Sequence, residues 1–121
     1  MKKTILIIVI GTYGFISCSK SSPSTGGGGG GGGTLNCSGV PALFGANVNP
    51  IIQSNCATNS GCHGSGSANG PGPLLTYAQI SAVSSNIKVV VGNGTMPKTG
   101  TLTTAQKNTI ICWVNAGALN N

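Results

Sequence analysis

An all-α domain of three to four short helices joined by long loops is what this sequence predicts. Three observations carry that expectation. Two Thr-x-x-Gln capping boxes, Thr76 with Gln79 and Thr103 with Gln106, each precede apolar residues at helical spacing. Asn49 followed by Pro50 has the form of a helix start, a capping residue with Pro at the first helical position. No run alternates apolar and polar residues over strand length, so a sheet is not expected. The elements follow in order. A first helix spans Pro50–Cys56. A second opens at Thr76 and carries Tyr77, Ile80 and Val83 on one face. Ile87, Val90 and Val91 continue at helical spacing to Gly92, although Val89-Val90-Val91 alone would suit a strand equally well. The last helix starts at Thr103, buries Ile110, Trp113 and Val114, and ends at Gly117 as its C-cap. Two substantial loops, Thr58 to Pro73 and Gly92 to Leu102, lie between these helices.

Composition then narrows the chemistry. The 121 residues include no Asp, no Glu and no Arg, and the formal charge of +6 comes from lysine alone. Without a carboxylate side chain there are no glycosidase pairs, aspartic dyads, Ser-His-Asp triads or acidic Ca²⁺ and Mg²⁺ sites. Chemistry must run through Cys, His, Met, hydroxyls, backbone or a cofactor. The length admits one domain.

The chain divides into three parts. Residues 1–17 have the form of a secretion signal: Lys2 and Lys3, then an apolar run from Ile5 to Ile16 too short for the roughly 20 residues of a membrane span. Phe15-Ile16-Ser17-Cys18 resembles the lipobox of bacterial lipoproteins, which makes Cys18 the expected lipid anchor of an exported protein, on the periplasmic face of a membrane or the cell surface. Residues 18–35, with the unbroken run Gly26–Gly33, form a flexible tether that can bury nothing. Residues 36–121 form the folded body. Lys20, Lys88, Lys98 and Lys107 remain after processing, spread singly, and such spacing gives no basic stripe for nucleic acid. With only Phe44, Tyr77 and Trp113 as aromatics, so small a body calls for a staple, a metal or a cofactor.

Cys56-Ala-Thr-Asn-Ser-Gly-Cys62-His63 supplies a candidate. Two thiols follow a helix, and the only His in the chain stands directly after the second. Adjacent Cys-His suits covalent haem attachment: a thioether fixes the porphyrin edge and the next residue brings its imidazole under the iron. Met96, the only Met besides the initiator, sits in a loop before Pro97 and is the candidate second axial ligand.

From about Phe44 onward the chain resembles a small monohaem c-type cytochrome domain of bacterial lipoproteins of the Bacteroidetes type. A short helix leads into Cys62-His63, Gly72-Pro73-Leu74-Leu75 resembles the family's Gly-Pro-x-Leu, and Met96-Pro97 resembles its distal-ligand loop. Leu102 to Ala105, with Gln106, and then Trp113 to Gly117 resemble its closing helix. The resemblance implies a helical bundle wrapped around haem c, held covalently through Cys56 and/or Cys62 and ligated by His63 and Met96. It implies that the Pro73 carbonyl accepts from His63 and that Trp113 packs near the haem edge, with Ile80 and Ile110 completing an apolar wall. The implied function is single-electron transfer without catalysis, by a monomer between redox-protein donor and acceptor, the tether swinging it between them. Lys88 or Lys98 would face the haem propionates. One departure stands out: five residues separate the thiols where the family has two, so the spacer must bulge, with Ser60 and Gly61 the residues that allow it.

Other readings compete. Setting Cys18 aside leaves four cysteines with three possible pairings. Cys37–Cys112, which ties the segment before the first helix to the last helix, is expected with or without haem; adding Cys56–Cys62 gives a haem-free, disulfide-stapled structural or binding lipoprotein domain. A thiol hydrolase needs Cys and His side chains facing each other, which sequence neighbours rarely achieve. Zinc at Cys56, Cys62 and His63 would need Cys37 or Cys112 as its fourth ligand.

Overall fold

The computed structural model describes residues 35–121. The expected signal at 1–17, the anchor Cys18, Lys20 and the glycine run of the tether lie outside the described residues. Four α-helices follow one another, α1 Asn49–Asn55, α2 Tyr77–Ala82, α3 Ser84–Gly92 and α4 Thr104–Asn115, and no strand occurs among the described residues. The all-α expectation therefore holds. Val89-Val90-Val91 is helical.

The start of α1 differs from expectation. A π-helical turn, Phe44–Val48, runs directly into it, and Asn49 is already helical at φ −57° and ψ −45°. Asn49 therefore caps nothing, and its Oδ1 instead accepts from Gln53 Nε2 at 3.0 Å. Pro50 has no N–H, so the change from wide to α turns falls where one backbone bond is missing in any case. Both Thr-x-x-Gln boxes form as read. Thr76 and Thr103 each accept from the N3 backbone while Gln79 and Gln106 reach back to the cap. α4 ends in a Schellman motif: Ala118 N–H donates to Trp113 O at 2.9 Å and Gly117 N–H to Val114 O at 3.0 Å. Gly117 lies at φ +93°, the left-handed region that favours glycine, and Ala118 follows at φ +52°.

The core gathers around three aromatics. Phe44 meets Tyr77 edge-on with ring centroids 5.0 Å apart and lies 5.5 Å from Trp113. Val48, Ile52, Ile80 and Ile110 complete it at 0% exposure. The last residues fold back over this cluster. Tyr77 Oη donates to Ala118 O and Trp113 Nε1 to Leu119 O, both at 2.8 Å. Asn121 accepts twice at the start of the π turn, through Oδ1 from Phe44 N–H and through its backbone oxygen from Gly45 N–H, again at 2.8 Å. These acceptors serve N–H groups that a helix start otherwise leaves without partners. A disulfide joins Cys37 to Cys112, 75 positions apart, as expected.

Candidate functional site

The end of α1 begins the site. Cys56 is the C-cap of α1, its N–H bonded to Ile52 O at 2.9 Å, and the chain then leaves the helix. The five-residue spacer does not sprawl, because Asn59 folds it. The Asn59 carbonyl accepts from Cys62 N–H at 3.0 Å and from Gly64 N–H at 2.8 Å, while its Oδ1 accepts from Gly61 N–H at 2.9 Å. His63 N–H closes the turn on Cys56 O at 2.9 Å. Asn69 Nδ2 donates to Gly61 O at 2.8 Å, and Ser67 Oγ donates to Cys62 O, so the following loop braces the turn. Gly64 packs so tightly on it that a Cβ would stand 2.8 Å from the backbone of Asn59. Ser60 and Gly61 were the residues expected to permit the bulge; Asn59 and Gly64 shape it. An Asx-type turn at Asn59 has a local signal in Asn-Ser-Gly, but the fit of Gly64 against it is set by the fold.

His63 is 9% exposed, and its orientation is held from two sides. Its backbone oxygen accepts from Leu74 N–H at 2.8 Å, and its Nδ1 lies 3.1 Å from the Gly72 carbonyl. A carbonyl only accepts, so Nδ1 carries a proton, and the lone pair of the corresponding tautomer is on Nε2. Gly72 thus supplies the contact that the resemblance assigned to Pro73. Pro73 is the rigid link between the two bonds: it has no N–H and a fixed φ, and its neighbours on either side reach His63. Gln53 Nε2, donating to Leu74 O at 2.9 Å, ties this segment to α1.

Two adjoining cavities open beside His63. The first, of about 350 Å³, is lined by Cys56, Cys62, His63, Asn69, Met96 and Lys98 among others. The second, of about 480 Å³, is walled by Ile52, Leu74, Val83, Ile87, Val90 and Val91. Cys56, His63, Gly70 and Met96 line both. Each volume falls in the range of small-molecule and cofactor sites, about 300–1,000 Å³. Met96 is positioned by its N–H, which donates to Val90 O at 3.0 Å and so ties the loop after α3 back to that helix.

The fold thus brings together four of the sequence-predicted residues, Cys56, Cys62, His63 and Met96. Trp113 and Ile110 line neither cavity; they are buried in the core, as is Ile80. The apolar wall comes from α1, α3 and Leu74. Reading it from sequence would have needed the packing of α3 against the 56–74 loop, although Ile52, Ile87 and Val91 were visible as apolar positions.

Cys56 and Cys62 are free thiols. Burial, with a smaller contribution from Cys62, pushes the Cys56 thiol up to about 11. At neutral pH it stays protonated, which makes it a poor nucleophile. Among the described residues no three His, Cys, Asp or Glu side chains are grouped to hold a metal ion. The donor set lining the first cavity is one imidazole and one thioether, beside two free thiols. That set fits an iron porphyrin held by axial ligands and thioether links. No family model matches the chain, and neither a curated protein nor a solved structure does.

Proposed function

We propose that the body is a c-type cytochrome domain that passes single electrons, anchored through a lipid on Cys18 and carried on the tether of residues 18–35. The observation that carries this reading is the meeting of His63, Met96, Cys56 and Cys62 on shared cavities. Haem would be held by thioethers from Cys56 and/or Cys62, with His63 Nε2 and the Met96 sulfur as the groups available to bind its iron. When bound, the group supplies a one-electron iron couple, which a His/Met pair biases toward electron transfer and a raised potential. The chain's own residues do the rest. Gly72 holds the proton on Nδ1 and aims the ring, a contact that also makes the imidazole more basic. Ile52, Leu74, Val83, Ile87, Val90 and Val91 keep water away. The protonated Cys56 suits a group destined to become a neutral thioether. A redox-protein donor and acceptor, a monomeric state and a site outside the cytoplasm complete the proposal; the domain is a carrier with no catalytic role of its own.

The haem-free, disulfide-stapled reading draws on Cys37–Cys112. Its second staple would have to join Cys56 and Cys62, which are free. Intact mass with a reduced-minus-oxidised spectrum, on protein matured in a periplasm with c-type haem machinery, separates the two. We expect one haem and a low-spin spectrum, and in Met96→Ala a lower potential or an iron open to added ligands. A mass matching two disulfides, with no Soret band, overturns the cytochrome reading. An unchanged Met96→Ala spectrum removes Met96 from the iron.

A further inference from the structure

We propose that Lys98 is the anion anchor of this cavity, pairing with a carboxylate on an otherwise planar, apolar ligand. The inference rests on the porphyrin reading above and deepens it by fixing which end of the ligand lies where. Lys98 is the one charged side chain among the described residues lining either cavity. Around it the first cavity presents Asn55, Asn69 and Thr99, whereas the second is walled mainly by aliphatic side chains, with Asn86 its one amide and no charged group. The joined space is therefore polar and cationic at one end and apolar at the other. An amphipathic ligand is sorted by such a gradient, because burying its carboxylate at the aliphatic end would leave an unpaired charge.

The remaining lysines of the body are placed elsewhere. Lys88 Nζ donates to Asn115 Oδ1 at 2.6 Å, and neither Lys88 nor Lys107 lines a cavity. The chain has no Asp or Glu to compete for Lys98. The loop that carries it is held at Met96, whose N–H reaches Val90 O, and at Thr95, whose N–H donates to Asn93 Oδ1 at 2.9 Å. Lys98, exposed to solvent, thus stands two residues beyond Met96 on a braced segment and lines the same cavity as Cys62.

The test uses the full chain without haem and two iron-free probes, protoporphyrin with its two free carboxylates and its dimethyl ester. Binding is read by quenching of the Trp113 fluorescence at low salt. We expect Lys98→Met to weaken the dicarboxylate about fivefold, the size of one exposed ion pair at the upper end of its range. The ester should bind wild type and variant alike, and Lys98→Arg should restore the dicarboxylate. If Lys98→Met weakens both probes equally, or neither, the anchor is overturned while the porphyrin site stands. If wild type binds neither probe, the porphyrin reading falls and the anchor with it.

Discussion

The two ends of this small body are held by different means. Around Phe44, Tyr77 and Trp113 the chain is locked by long-range bonds: a disulfide across 75 positions, the aromatic trio, and residues 118–121 folded back over it. Around His63 the holding bonds are short-range ones, chiefly the Asn59 turn and the Gly72–Leu74 segment, and two thiols remain free beside open cavities. The first region gives up its polar groups to make a rigid base. The second keeps donor atoms exposed to a cavity, which only a base stable by itself allows. Stability and chemistry are thus separated in space, although α1 serves both through Ile52.

That separation can be broken from either side. The largest effect is expected from Cys37→Ser combined with Cys112→Ala. Loop-closure entropy for 75 residues puts the staple at about 4.5 kcal/mol as an upper figure, with losses of 2–5 kcal/mol typical. Urea unfolding should show that loss, while the fraction that still folds retains the cavities beside His63. A loss below about 1 kcal/mol would mean that the aromatic base stands without its disulfide.

Gly64→Ala should act in the opposite way. Its Cβ meets Asn59 backbone at 2.8 Å, so the spacer must shift, at about 1–3 kcal/mol for an overpacked contact. The larger consequence is expected in haem loading per chain, read by absorbance against protein, because Cys62 and His63 move with the turn. Loading equal to wild type would show that the attachment site does not depend on the Asn59 turn.

The smallest effect is a pH dependence. The Cys56 thiol rises from an ordinary 9.0 to about 11 in the folded chain, chiefly through burial. Between those values the unfolded chain has lost the proton that the folded chain still holds, so stability falls as pH rises from about 9 to 11. Below pH 9 this contribution is fully present. Denaturation midpoints of the haem-free chain should decline over that window in wild type and less in Cys56→Ala; equal declines would assign the pH dependence to other groups.

Much of the fold was legible because it is written locally. The two Thr-x-x-Gln boxes need only residues three apart, and Gly117 needs only the turn it ends. The convergence of Cys56, Cys62, His63 and Met96 was legible as chemistry, since a sole His beside a Cys and a sole internal Met restrict the choices. What failed depends on approach through space. Gly72 rather than Pro73 meets His63, a one-residue difference decided by how the 72–74 segment lies against the ring. Trp113 was set beside a cofactor by the resemblance alone, since an apolar helical face carries no address; Phe44 and the returning tail claim it instead. The π turn depends in the same way on Asn121, 77 positions away from Phe44.

That last contact also sets an order of events. A chain is made from its N-terminus, and the acceptors for Phe44 and Gly45 N–H do not exist until residue 121 has been added. Cys112, Ala118 and Leu119 likewise arrive late, so the base of the domain closes only once nearly the whole body is present. Cys56, Cys62 and His63 are produced much earlier and spend that interval in an open chain. Until then the Asn59 turn is the local structure on which that segment can rely, because its bonds reach no further than Gly64.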